Sequence, residues 1–96
     1  MKFKYQLSDM WISKVADMTE FANGGTQVSM RLKDGRVFTD VLISNSTYVI
    51  AIRGYMDLPF HLEDVVDIFQ SEIDKAPIQR GGWNYWDDWK LPKNSE

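Results

Sequence analysis

The chain is predicted to be a mostly β domain: one N-terminal α-helix, then a small, strongly bent, five-stranded antiparallel barrel. Three observations carry that prediction. Apolar residues recur at steps of three and four from Leu7 to Ala22. After Gly25 the period drops to two, and the turn-favouring pairs Asp34-Gly35 and Asn45-Ser46 cut the chain into short runs. A helical period followed by short alternating strands and tight turns is the pattern of a small barrel.

Leu7, Met10, Trp11, Ile12, Val15, Met18 and Phe21 or Ala22 form one stripe and predict a helix over 8–22. Ser8 is placed to cap it, and Asp9 puts a carboxylate in the first turn, where the helix dipole favours it. Asn23-Gly24-Gly25 supplies the stop, since glycine takes the left-handed conformation that follows a last turn. The stripe reads as core or as a cap on the barrel.

Thr26 to Lys33 then alternates, with Val28, Met30 and Leu32 on one face and Gln27, Ser29, Arg31 and Lys33 on the other. Asp34-Gly35 predicts a two-residue type I′ hairpin turn. Arg36 to Ser44 returns with neither face cleanly polar, so part of it is expected to be buried on both sides. Asn45-Ser46 makes the next turn. Thr47 to Arg53, β-branched and aromatic, is expected to be a central strand. Leu58 to Leu62 reads as a short edge strand, because Pro59 lacks an N–H. Glu63-Asp64-Val65 makes a tight turn, and Val66 to Gln70 closes as the fifth strand, although Ile68, Phe69 and Ile73 would also suit a short helix. Residues 1–76 are thus one helix-plus-barrel domain. Residues 77–96 are an aromatic C-terminal tail, packed on the domain or on a partner.

Composition narrows the chemistry. The chain has 96 residues, 44% of them hydrophobic, which suits one globular domain. Its longest apolar run, Tyr48 to Ile52, is far below the roughly 20 residues that cross a bilayer, and no export signal is legible at the N-terminus, so a cytoplasmic location is expected. With no cysteine, disulfides, thiolate metal sites and cysteine nucleophiles are excluded. The net charge of −3 disfavours generic nucleic-acid binding. The charge is uneven: residues 54–76 hold six acids against one base, whereas residues 1–33 hold five bases against three acids.

Leu32-Lys33-Asp34-Gly35-Arg36-Val37-Phe38 resembles the first hairpin of Sm-like proteins, in which a glycine turn leads into a long bent strand. The helix-first order fits that family. So does a turn of the Glu63-Asp64-Val65 type before the last strand, shared by Sm-like and Src-homology-3-like barrels. Ile52-Arg53-Gly54 resembles the family's second motif, and Asp40 stands where its second strand usually carries Gly. The resemblance spans roughly residues 8–70 and implies the five-stranded barrel. It also implies an alternative role as a divergent RNA-binding ring subunit, with Lys33, Arg36, Asn45 and Arg53 as contacts. Small acidic proteins of this kind serve in bacteria as inhibitors, immunity partners or assembly subunits, an analogy of size and charge.

Among candidate sites, His61 is the single histidine; with Glu63 and Asp64 beside it, it falls short of the ligands that zinc chemistry needs. Glu63, Asp64 and Asp67 form the densest acids but lack a calcium-loop pattern. No metal, cofactor or enzyme activity is expected. The most unusual feature is Trp83, Tyr85, Trp86 and Trp89, whose tryptophan spacing of three aligns them loosely on one helical face. Rings of this kind dominate interface hot spots. The expected function is a non-catalytic module that binds a protein partner, or a second copy, through this tail or through the acidic face at Glu63, Asp64 and Asp67.

Overall fold

The computed structural model describes residues 3–86. It shows a mostly β domain: α1 (Asp9–Ala16), β1 (Gly25–Leu32), β2 (Val37–Ser44), β3 (Tyr48–Ile52), β4 (Val65–Phe69) and α2 (Glu72–Lys75). The strands form one antiparallel sheet in the order β3-β2-β1-β4. No described helix is long and apolar enough to cross a membrane.

The sheet has four strands among the described residues, not five, and it is not closed into a barrel. Residues 58–62 do not form a strand. Pro59 has no N–H for a ladder, and the segment instead leads into a single 3-10 turn over Leu62–Asp64, where the Asp64 N–H donates to the His61 carbonyl at 2.9 Å. The ladders are nonetheless irregular. Each ladder carries one register shift: between Val28 and Met30, between Arg31 and Leu32, and between Leu42 and Ile43. The extra residues fall in β2 near Asp40, in β4 at Val66 and in β3 at Ile50. A bulge bends its strand and increases local twist. Asp40 takes φ 57°, a left-handed conformation that Asp tolerates better than most residues.

The turns exchange roles. Asn45 and Ser46 hold φ 51° and 62°, the signature of a type I′ turn. At the β1–β2 hairpin only Gly35 is left-handed, at φ 95°. There the Asp34 carboxylate accepts from the Arg36 backbone N–H at 3.0 Å, and the pair Leu32/Arg36 closes a three-residue loop. The helix is also shorter than its stripe. Beyond Ala16, the Gln70 side chain takes both backbone groups of Thr19, accepting from its N–H at 3.0 Å and donating to its carbonyl at 2.9 Å. A helix to residue 22 would need those groups for itself.

The first face of the sheet carries the main core: Val28, Met30, Leu32, Val41, Ile43, Val49, Ile52, Val65 and Ile68, sealed by Leu7, Val15, Phe60 and Trp86. β3 is an edge strand, not a central one, yet four of its five residues are buried. Chain segments from both ends cover its outer edge. The Leu7 N–H donates to the Thr47 carbonyl at 2.8 Å and the Val49 N–H to the Tyr5 carbonyl at 3.0 Å. The bulged Ile50 carbonyl accepts from the Trp86 N–H at 3.1 Å. An edge covered in this way offers no open template for strand pairing.

Candidate functional site

The second face of the sheet divides in two. Towards β1 it is polar: Gln27 and Ser29, which their alternation would place in solvent, are only 2% exposed. α2 covers them. Ser71-Glu72-Ile73-Asp74 is a capping box, in which the Ser71 hydroxyl accepts from the Asp74 N–H and the Asp74 carboxylate accepts from the Ser71 N–H. The same carboxylate, itself buried, accepts from Gln27 Nε2 and from Ser29 Oγ, both at 2.9 Å. One buried acid thus ties the one-turn helix to the sheet. The Gln27 Oε1 atom has no hydrogen-bond partner among the described residues.

Towards β3 the second face is apolar. Leu42, Ile50 and Ala51 are buried under Phe3, Phe21, Tyr48 and Trp83. Beside them opens a cleft of about 300 Å3, floored by Leu42, Ile43 and Ile50 and walled by Phe21, residues 22–25, Ser44, Asn45, Arg80, Trp83 and Tyr85. The walls are held by tight local geometry. The Asn45 N–H donates to the Gly24 carbonyl at 2.8 Å, and a Cβ on Gly24 (φ 80°) would lie 2.9 Å from Asn45 Oδ1. A side chain at position 24 would therefore meet both backbone strain and a clash.

Residues 77–86 form no helix, so the tryptophan spacing of three does not align the rings. Instead the chain crosses the β3 edge between them. Trp83 lies on the second face and Trp86 packs into the first. Trp86 is 9% exposed, with its indole N–H on the Tyr55 carbonyl at 3.1 Å and its ring edge-on to Tyr5 at 5.7 Å. Trp83 is half-buried; its indole N–H donates to the Arg80 carbonyl at 3.1 Å, and the Arg53 guanidinium stands 3.8 Å over its ring. Tyr85 is exposed on the cleft wall. Trp89 lies outside the described residues.

The acids sit elsewhere and are mostly matched. Asp67 accepts from Lys14 at 2.8 Å and from Arg31 at 3.3 Å, and the Lys14 contact chiefly holds its carboxyl below the usual 3.8. Asp57 is lowered in the same way, first by the Tyr5 hydroxyl at 2.7 Å. Asp64 pairs with Lys33 at 3.2 Å, and Glu63 is exposed beside it. Of the residues that a ring subunit would use, Lys33 and Arg36 lie around the β1–β2 hairpin, where Arg36 pairs with Asp34 at 2.9 Å. Asn45 lies at the other end of β2, on the cleft wall. Arg36 and Arg53 line one hollow with Asp40 and Tyr55, but Lys33 and Asn45 do not join them, whereas Trp83, Tyr85 and Asn45 line the cleft together. His61 is exposed in the loop before the 3-10 turn, and no group of three metal-ligating side chains forms among the described residues.

Sequence reasoning missed Phe21, Arg80, Asp74 and Gln27. Asp74 had a legible signal in the Ser-x-x-Asp capping pattern. The other three had none, because their roles depend on what folds over them. Compared with known proteins, the chain matches no family model, no curated protein and no solved structure.

Proposed function

We propose that this chain is a non-catalytic interaction module that binds a protein partner at the aromatic end of its second sheet face. One observation carries the reading: Trp83 and Tyr85 wall a cleft of about 300 Å3 over a rigid floor of buried strand residues. Rings held at low conformational cost beside a preformed hollow are what a partner's anchoring side chain needs. Trp86 supports this by fixing the segment to the β3 edge rather than by touching the partner. Glu63, Asp64 and Asp67 do not line this cleft, and two of the three already hold cations, so they take no part in the proposed site. The test is affinity capture from the source organism, followed by titration of the purified partner against wild type and Tyr85→Ala. At least a tenfold loss for the variant, with an unchanged thermal midpoint, is expected on removal of a hot-spot ring. Equal affinity for both would refute the reading.

A second reading is a divergent Sm-like RNA-binding ring subunit. It is supported by the left-handed bend at Asp40, where that family usually carries Gly, and by Asn45 on the cleft wall beside Trp83. It requires a multimer in light scattering and an oligoribonucleotide affinity that falls steeply with salt. A monomer that fails to shift RNA at low salt rules it out.

A further inference from the structure

Ion pairing is distributed unevenly. Among the described residues, Lys4, Lys14, Arg31, Lys33, Arg36 and Lys75 each hold a carboxylate at 3.9 Å or less. The remaining two described cations of this kind, Arg53 and Arg80, make no such pair, and both flank Trp83. Arg53 stands over the ring at 3.8 Å and donates only to the carbonyls of Gln79 and Gly82, at 3.2 and 3.5 Å. Arg80 lines the cleft, receives the Trp83 indole N–H on its backbone carbonyl, and uses its Nε on the Pro77 carbonyl at 3.4 Å. None of the described residues lining the cleft is acidic, in a chain with fourteen acids.

From this we infer that the partner segment is acidic: a peptide stretch that places an aromatic side chain in the cleft and flanking carboxylates on Arg53 and Arg80. The inference rests on the reading of the cleft as a partner site and adds the partner's chemistry. Guanidinium groups are planar forks that match carboxylates, and an arginine already stacked on a ring is pre-organised to accept one. The cleft is at the small end of ligand pockets, so it suits one side chain rather than an extended ligand. Two unpaired arginines also match one or two carboxylates better than a nucleic acid, which needs a run of cations along its phosphates.

The experiment titrates the full chain with short synthetic peptides bearing a central Tyr flanked by Glu, with matched Gln and Lys versions, and with an oligouridylate. The Glu peptide should bind most tightly, and its advantage should shrink as salt rises. Arg80→Gln should lower Glu-peptide affinity by about fivefold, the scale of one exposed ion pair, and leave Gln-peptide affinity unchanged. Arg53→Gln should do the same; because Arg53 also holds residues 79 and 82, the exposed Arg80 provides the independent arm. Should the Gln or Lys peptide bind as well as the Glu peptide while Trp83→Ala abolishes all binding, the acidic preference is wrong and the partner site stands. Should no peptide bind, or only the oligouridylate bind, both are wrong.

Discussion

The two faces of this sheet are built on different principles. The first is a continuous apolar surface, sealed by α1 from one end of the chain and by Trp86 from the other. The second is a mosaic, with a polar patch clamped by Asp74 at one end and an aromatic cleft at the other. The first face can do little but hold the fold together. Among the described residues, the second leaves an amide oxygen of Gln27 without a hydrogen-bond partner, two arginines without an ion-paired carboxylate and an exposed tyrosine. This contrast is what favours the second face for the proposed binding site.

Substitutions should separate the two faces by size of effect. Ile43→Ala, in the main core, should cost about 3–4 kcal/mol in urea unfolding, a large part of what a domain of this size has. Asp74→Ala should cost about 2–3 kcal/mol, because the buried Ser29 hydroxyl and the Ser71 N–H lose their acceptor and Gln27 Nε2 keeps only a long contact to Asp40 at 3.4 Å. Ser29→Ala in that background should then be nearly neutral, a non-additivity that a double-mutant cycle reads directly. Trp83→Ala should cost only about 1 kcal/mol in the same assay, since its ring is half-buried. A cost near that of Ile43→Ala would mean that the cleft is core and not a site.

The smallest effect is electrostatic. The Asp67 carboxyl is held below 3.8 in the folded chain, so its ion pairs stabilise the fold at every pH above the unfolded value. That contribution fades as pH falls below 3.8 towards the lowered folded value. Asp67→Asn should therefore cost about 0.5 kcal/mol at neutral pH and nothing in strong acid, as measured by thermal midpoints across pH.

The strands were legible because alternation is local: β1, β2 and β4 lie within a residue or so of where Val28, Val41 and Ile68 place them. What the sequence could not show was long-range substitution of one partner for another. The Gln70 side chain ends α1 early by taking the Thr19 backbone. Gln27 and Ser29 look solvent-facing until Asp74 arrives from forty-five residues or more away. The edge strand expected at Leu58 to Leu62 failed at Pro59 for a reason visible in the sequence, the missing donor. The aromatic residues of the cleft were visible by type, but the crossing between Trp83 and Trp86 depends on the free carbonyl of a bulge at Ile50, which no periodicity reveals.

The most direct test is backbone amide shift mapping of the labelled chain as the captured, purified partner is added. The shifts should concentrate at residues 22–25, 42–45 and 80–85, around the cleft, with α1 and the β1–β2 hairpin silent. Shifts centred instead on α1, residues 33–36 or residues 62–67 would contradict the assignment of the partner site to the second face.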